Sequence, residues 1–487
     1  MRNSSTWLRA HRLITIFILF IGLAVGIHLV ANWRAEARWQ HYRAAAQARG
    51  IKLTLAEFAP PEIPDADNFA ALPMFRAIFV AGATDPMKLP DVRGGIPGFG
   101  VPQEGKYFDA QKWQTYFKDT GFLTEITDSP PRDVLQALEH YAPQFKEWSE
   151  WKTRKRCAFP LDLKAGAAMP LPHLGMFLQA SKLFSLRLRC HLLTGDSSAA
   201  YADFREGLQA CHALTNEPTL ISGLIQLAST KILLAAIGDG LAAHTWAEPE
   251  LKKLGDDLSS IRVCDDYLRS FSSERGFGNL QEDAFADMSP IQRYKKRSAL
   301  SAGYAALGMP NDPPDWVFLF IPKWLCLNNQ LRYNLYMDEK CTRVDTDELH
   351  FTSDVCTPTN AERLEGLDKY HFFLFNQSLP MFSQVTERFV QVQTLLDQTR
   401  QAIALERFRL AHGTYPEALS ELVPDFLIAL PIDVYTSRSM TYRRQEGGTF
   451  LLYGVSKNRK DDGGTIDLKR GEREHADDVW LYAPTAG

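Results

Sequence analysis

The sequence predicts a mainly α-helical protein with a C-terminal α+β domain, built as an N-terminal transmembrane helix, a body of helical hairpins, and a long helix packed on a small antiparallel sheet. Three observations predict it: an uncharged apolar run near the N-terminus, apolar residues recurring at helical spacing through the middle, and strand-like alternation confined to the C-terminal part. The chain has 487 residues, about three times the usual domain of roughly 150, so several units are expected. We divide it into a cytoplasmic head (1–12), the anchor (13–33), a stalk and loop-rich region (34–165), the helical body (166–382) and the terminal domain (383–487). Apolar residues make up 45% and charged residues 23%, which excludes a wholly disordered chain. A net charge of −4 leaves no basic footprint, so nucleic acid is not an expected partner.

The anchor comes first. Leu13 to Ala31 are 19 residues without a formal charge, long enough at about 1.5 Å each to cross roughly 30 Å of hydrocarbon. Trp7 and Trp33 stand near its ends, where indole rings favour the interface. Arg2, Arg9 and Arg12 precede it, but Arg34, Arg38, Arg43 and Arg49 follow, so charge alone does not orient it. A twelve-residue head is easily retained while long following domains translocate largely regardless of charge, which favours the N-terminus inside. The alternative, a cleaved signal peptide, calls for an apolar region of about 7–15 residues ending in small residues. His28 to Trp33 offer no such site.

Ala35 to Arg49 is a helix-friendly stalk, followed by the prolines Pro60, Pro61 and Pro64. Between Gly82 and Gly105 ten of 24 residues are glycine or proline, a density that predicts a surface loop. Its 94–100 glycines lack the Gly-Lys-Ser/Thr of a phosphate-binding loop. Leu174–Leu193 and Ser198–Leu214 then predict an antiparallel helical hairpin turning at Thr194-Gly195-Asp196. A third helix starts near Pro218 and is expected to break at Gly238 and Gly240; Lys231 near its middle argues for a core helix rather than a second span. A fourth carries Leu251, Leu254, Leu258, Ile261, Leu268 and Phe271 on one stripe after Pro249. Trp316 to Leu327 is strongly apolar but too short to cross a bilayer, so it predicts either a buried element or an exposed partner-binding ridge. Thr359 and Glu362 have the spacing of a capping box.

Seven cysteines occur without a C-x-x-C pair, an odd number that cannot all pair within one chain. Separate thiols are the expectation, although Cys341 and Cys356 lie close in one polar stretch and a bridge between them stays open. The histidines form no H-E-x-x-H, and there is no G-x-S-x-G elbow. Ser273-Glu274-Arg275-Gly276 joins an acid to a guanidinium, which predicts a salt bridge. No catalytic residue is nominated.

In the terminal domain a long helix, Ser383 to His412, ends at Gly413. Thr414 and Glu417 have capping-box spacing for a short helix before Pro424. Met440–Arg444 and Thr449–Val455 flank a turn at Glu446-Gly447-Gly448, and Asp478–Tyr482 is a last strand candidate. The run Ala404 to Pro416, with Leu419, Leu422-Val423-Pro424, Leu430-Pro431-Ile432-Asp433, Tyr442-Arg443, Phe450 to Val455 and Lys460-Asp461-Asp462-Gly463-Gly464, resembles the globular domain of the major pseudopilins of type II secretion systems. A looser resemblance, to a single tetratricopeptide-like hairpin, covers 183–212. In pseudopilins the membrane helix joins this domain directly, whereas here residues 34–382 intervene.

The pseudopilin resemblance implies a calcium site in the acidic loop, which Asn458, Asp461, Asp462, Asp467, Asp477 and Asp478 could supply, since calcium takes several oxygens brought together by a turning loop. Lys457, Arg459, Lys460, Lys469, Arg470 and Arg473 dilute that negative field, and a solvated charged loop is the competing expectation. The expected protein is thus a single-pass protein of the bacterial inner membrane, its bulk periplasmic, acting as a scaffold or interaction module with protein partners in the envelope. Two alternatives are an anchored enzyme with a site between the helical body and the 93–105 loop, and a secretion-apparatus component.

Overall fold

The computed structural model describes residues 3–80, 82–92, 95–98, 108–306, 314–347, 350–363, 372, 379–465 and 478–484. Helix makes up 62% of it, with a small antiparallel sheet near the C-terminus and an apolar helix at the N-terminus. In chain order the helices are α1 (Asn3–Ala48), α2 (Pro73–Ile78), α3 (Ala110–Asp119), α4 (Pro130–Leu138), α5 (Ala142–Trp148), α6 (Pro172–Leu193), α7 (Ser197–Ala213), α8 (Leu220–Ala242), α9 (Glu248–Ser259), α10 (Val263–Asp287), α11 (Pro290–Ala306), α12 (Lys323–Cys341) and α13 (Leu379–His412). Strands β1 (Val344–Asp345) and β2 (His350–Phe351) pair with each other, and β3 (Thr441–Gln445), β4 (Thr449–Gly454) and β5 (Asp478–Val479) form an antiparallel sheet in sequence order. The chain divides into two compact units, one of residues 1–58, 272–339 and 358–381, the other of 59–271, 340–357 and 382–487.

In the first unit α1 runs unbroken through the apolar stretch and the stalk. Its large apolar side chains from Ile14 to Trp33 are 46% to 70% exposed, whereas Ala35, Trp39, Tyr42 and Ala46 are buried with Leu53 and Leu327. That change of character falls at the predicted end of the span. Here α12 runs beside α1 in the same direction, since the Trp324 amide donates to Asn32 Oδ1 at 2.9 Å and Tyr42 OH donates to Asp338 Oδ2 at 3.1 Å. From Ser272 onward α10 runs the opposite way to α12: Asn334 Nδ2 donates to Asn279 Oδ1 at 2.7 Å and Gln330 Nε2 to Asp283 Oδ1 at 3.0 Å. Arg275, 2% exposed, pairs with Asp338 at 2.7 Å. The Ser273–Gly276 guanidinium therefore meets a distant acid rather than its neighbour Glu274. A Cβ at Gly276 would lie 2.8–3.0 Å from the Thr54–Leu55 backbone, so only glycine lets that chain pass so closely.

The second unit is held by rings. Phe75 stacks on Phe177 at 5.2 Å, Phe69 meets Trp148 edge-on at 5.5 Å, and Phe75 meets Phe159 at 5.5 Å. Trp113, Phe117 and Phe184 extend the same buried cluster. Such offset and edge-on pairs add to the burial energy of the rings themselves. α6 and α7 form the predicted hairpin, with Gly195 at φ +82° and the Asp196 carboxylate accepting from the Ala199 amide.

Two expectations about helix ends are corrected. α8 continues through Gly238 and Gly240 to Ala242. These glycines serve close packing: a Cβ at Gly238 would sit 2.4–2.8 Å from the Tyr482 ring, and one at Gly240 2.4–2.8 Å from Trp246 and Leu192. The predicted fourth helix is two, α9 and α10, separated at Ser260–Arg262. Ser259 and Ser260 hydroxyls donate back to the Asp256 and Asp257 carbonyls at 2.6 Å each, competing with the helical ladder where it stops. α8 is long and apolar enough to be a candidate span, but 67% of its apolar window is buried in protein.

After α13 the chain turns at Gly413, φ +78°. Thr414 and Glu417 do not form a box; the Glu421 carboxylate instead accepts from the Glu417 and Ala418 amides at 2.8 and 2.9 Å and opens a 3₁₀ turn, Leu419–Leu422. Thr359 and Glu362 do cap reciprocally, while the helix expected after them falls at 364–371, outside the described residues. Tyr415 packs edge-on against Phe450 of β4 at 5.0 Å, and Gln398 Nε2 of α13 donates to the Asp478 carbonyl of β5 at 2.5 Å.

Candidate functional site

A cavity of about 230 Å³ in the second unit is lined by Phe108, Arg189, Leu192, Leu193, Asp239, Gly240, Ala242, Ala243 and Thr245. Arg189 comes from the last turns of α6 and Asp239 from the last turns of α8. The guanidinium is 3% exposed, and its Nε donates to Asp239 Oδ2 at 2.6 Å while its plane lies over the Phe108 ring at 5.6 Å. Burial raises the Asp239 carboxyl, opposed by the Arg189 charge. The turn after α8 is fixed from two sides. Trp246 Nε1 donates to the Ile237 carbonyl at 3.1 Å, and His244, held at φ +53°, places Nδ1 2.9 Å from Glu406 Oε1. Glu406 also takes the Arg409 guanidinium and the Tyr415 hydroxyl; burial raises its carboxyl, but Arg409 and His244 together outweigh that and lower it.

This cavity offers a small ligand apolar walls and one prepaired charge couple. Among the described lining residues there is no second acid and no histidine, and the one hydroxyl, that of Thr245, donates to the Gly240 carbonyl at 3.2 Å. The sequence signal for the pair is weak: Arg189 lies between Leu188 and Cys190 on a helix that also carries Lys182 and Arg187, and Asp239 lies between two glycines on one that also carries Lys231. Their meeting, fifty positions apart, is tertiary. Phe108 is the first described residue after the 93–105 loop; of that loop only residues 95–98 lie within the described residues.

A second buried cluster joins residue types common in hydrolases. His173 Nε2 lies 2.7 Å from Glu217 Oε2, and Ser222 Oγ donates to the other oxygen of the same carboxylate. Phe159 stacks on the imidazole at 3.9 Å and Phe79 at 5.5 Å. The carboxylate stands between the serine and the histidine, so the imidazole does not take the hydroxyl proton, and the order needed for a nucleophilic serine is missing. The arrangement gives the Glu217 carboxylate and the Ser222 hydroxyl their partners, while His173 Nδ1 is buried without one among the described residues.

Of the proposed calcium ligands, Asp467 and Asp477 lie outside the described residues. Asp461 Oδ1 accepts from Tyr453 OH and the Gly463 amide, both at 2.9 Å. Asp462 Oδ2 accepts from Asn458 Nδ2 at 2.7 Å, and Asn458 Oδ1 from the Lys460 amide at 2.9 Å. Asp478 stands in β5. Among the described residues no group of three or more His, Cys, Asp or Glu is gathered to hold a metal ion. Lys457, Arg459 and Lys460 line a cleft of about 380 Å³ with Asn458, Cys356 and Tyr435, so the described side of the loop is cationic. The seven cysteines are free thiols; Cys356 Sγ lies 3.6 Å from Tyr435 OH.

The apolar stretch 316–327 divides: Phe318, Ile321, Cys326 and Leu327 are buried, while Trp316 is 59% and Phe320 75% exposed. No family model matches the chain, and no curated protein or solved structure does either.

Proposed function

We propose that this chain is a single-span protein of the bacterial inner membrane that tethers a folded, largely helical body on the periplasmic side, where it serves as a scaffold or interaction module. The observation that carries this reading is the change along α1. The large apolar side chains of one continuous helix are open to the surroundings from Ile14 to Trp33, and the same helix then enters a packed core at Ala35, Trp39 and Tyr42. An exposed apolar helix of that length is costly in water and stable in lipid. The exposed Trp316 and Phe320 favour binding over catalysis, because they present apolar surface outward. The terminal domain is read as pseudopilin-like on the order of its motifs, with the long helix α13 leading into the sheet β3-β4-β5. Calcium belongs to this reading through the acidic loop: titration of the full chain should raise the melting temperature at millimolar calcium, and an unchanged melting temperature removes the metal.

The test of the main reading is a reporter enzyme active only outside the cytosol, fused after Gly487 of the full chain. Activity in intact cells supports the proposal; activity only from a reporter that works in the cytosol overturns the periplasmic placement.

A further inference from the structure

Resting on the anchor reading above, a more specific contact emerges in the first unit. α12 begins at Lys323, and its second residue, Trp324, is bonded to Asn32, one residue beyond the uncharged run. The segment before α12 therefore starts from the level at which α1 would leave the hydrocarbon. The antiparallel α10 brings its C-terminal end to the same level, because Asp283 meets Gln330 in the early turns of α12. Arg293, 6% exposed, ties the corner together: it donates to the carbonyls of Phe285 and Ala286 at the end of α10 and to that of Ile321. Arg297 pairs with Asp315 at 3.7 Å and lies over the Phe318 ring at 5.2 Å, fixing the 3₁₀ turn Asp315–Leu319.

This rigid corner turns its largest apolar groups outward. Trp316 and Phe320, 59% and 75% exposed, share it with Ile291 at 63% and Tyr294 at 39%, and Trp33 on α1 is 70% exposed. Exposed Arg34, Arg38, Lys295, Lys296 and Lys323 accompany them, against Glu36, Asp283 and Asp287. Aromatic rings with a cationic surplus are the composition that settles at the boundary between acyl chains and anionic headgroups.

We propose that this corner is a bilayer-contacting ledge: Trp33, Ile291, Trp316 and Phe320 enter the interfacial layer beside the span, and Lys295, Lys296 and Lys323 meet anionic headgroups. The ledge gives the first unit a second attachment to the membrane that α1 already crosses. A protein partner is the competing occupant, but it does not account for the ledge standing level with the end of the span.

The experiment places a benzophenone amino acid at Phe320, and separately at Leu335, in the full chain in vesicles of phosphatidylcholine with or without phosphatidylglycerol. Leu335 is 45% exposed on α12, and eleven residues beyond Trp324 it stands about 16 Å farther from the membrane level. Irradiation is expected to give a lipid adduct at 320 and loss of that adduct at 335, with a higher yield at 320 when phosphatidylglycerol is present. An alkaline carbonate wash of the same vesicles separates the two readings. A chain that stays in the pellet without a lipid adduct at 320 overturns the ledge and leaves the anchor standing; a chain that washes off overturns the anchor and the ledge with it. Equal lipid yield at 320 and 335 also overturns the ledge, and a second protein captured at 320 from native membranes in place of lipid assigns the corner to a partner. Equal yield at 320 in both vesicle types overturns the headgroup contact.

Discussion

The first unit is built around polar groups and the second around rings, and the two keep their helices in register by different physics. Between α1, α10 and α12 the buried side chains include, beside the apolar cluster of Ala35, Trp39, Ala46, Leu53 and Leu327, the polar Tyr42, Arg275, Asn279, Gln330 and Asn334, each tied to a named partner. Around α6 they are Phe69, Phe75, Trp148, Phe159, Phe177 and Phe184. Burial of rings is non-directional and supplies stability in bulk, whereas a buried hydrogen-bond network adds little net energy but penalises any register that breaks it. A helix continuing from an exposed apolar stretch, as α1 does, meets its partners through a short contact face, and directional bonds can fix its position there.

The contrast predicts unequal costs. Trp148→Ala removes a fully buried ring in contact with Phe69, Phe75, Phe177 and Phe184, and should cost about 3–5 kcal/mol, read as lost amide-exchange protection in α6. Protection in α6 that survives intact would show that the rings are not what holds the second unit. Arg275→Met should cost about 2 kcal/mol, because Asp338 keeps only its pairing with Arg49 and its bond from Tyr42. The readout is exchange in α12, and the companion Asp338→Asn should not add to the loss if the two act as a pair.

A third outcome depends on pH. Burial pushes the Glu282 carboxyl up to about 7, aided by Asp283 and opposed by Lys296. From its ordinary value of 4.5 up to about 7 the unfolded chain has released this proton while the folded chain holds it, so stability contributed here falls as pH rises through that window. Glu282→Gln should match the parent below pH 4.5 and exceed it above pH 7, by on the order of 1 kcal/mol. A difference that grows toward acid reverses the sign and refutes the assignment. The smallest effect is expected at Gly238→Ala. The new methyl meets the Tyr482 ring at 2.4–2.8 Å, an overpacking cost of about 1–3 kcal/mol offset by about 1 from better helix propensity. The melting temperature should fall by a few degrees; a rise would mean that the ring moves aside freely.

Much of the fold was legible because its signals are local. The end of the apolar run, the Gly195 turn, the Gly413 stop and the hairpin through Gly447 and Gly448 all declare themselves within a few residues. Gly238 and Gly240 misled because their reason is a ring more than two hundred positions away and a tryptophan beyond the helix end. Periodicity joined α9 to α10 since the apolar stripe continues across Ser259 and Ser260 while the backbone does not. The site was the least legible part. Arg189 and Asp239 read as unrelated charges on two helices that also carry Arg187 and Lys231, and only packing of α6 on α8 makes them a pair. The stretch 316–327 was legible as apolar, but which of its faces is covered depends on Phe285 and Arg297, brought to it by the fold.

Anchoring requires α1 to remain whole in lipid. Intact-mass measurement of the full chain recovered from a carbonate-washed membrane pellet tests this directly. The predicted result is a pelleted chain whose mass still includes residues 13–31; a soluble chain, or one that begins beyond Ala31, would contradict it.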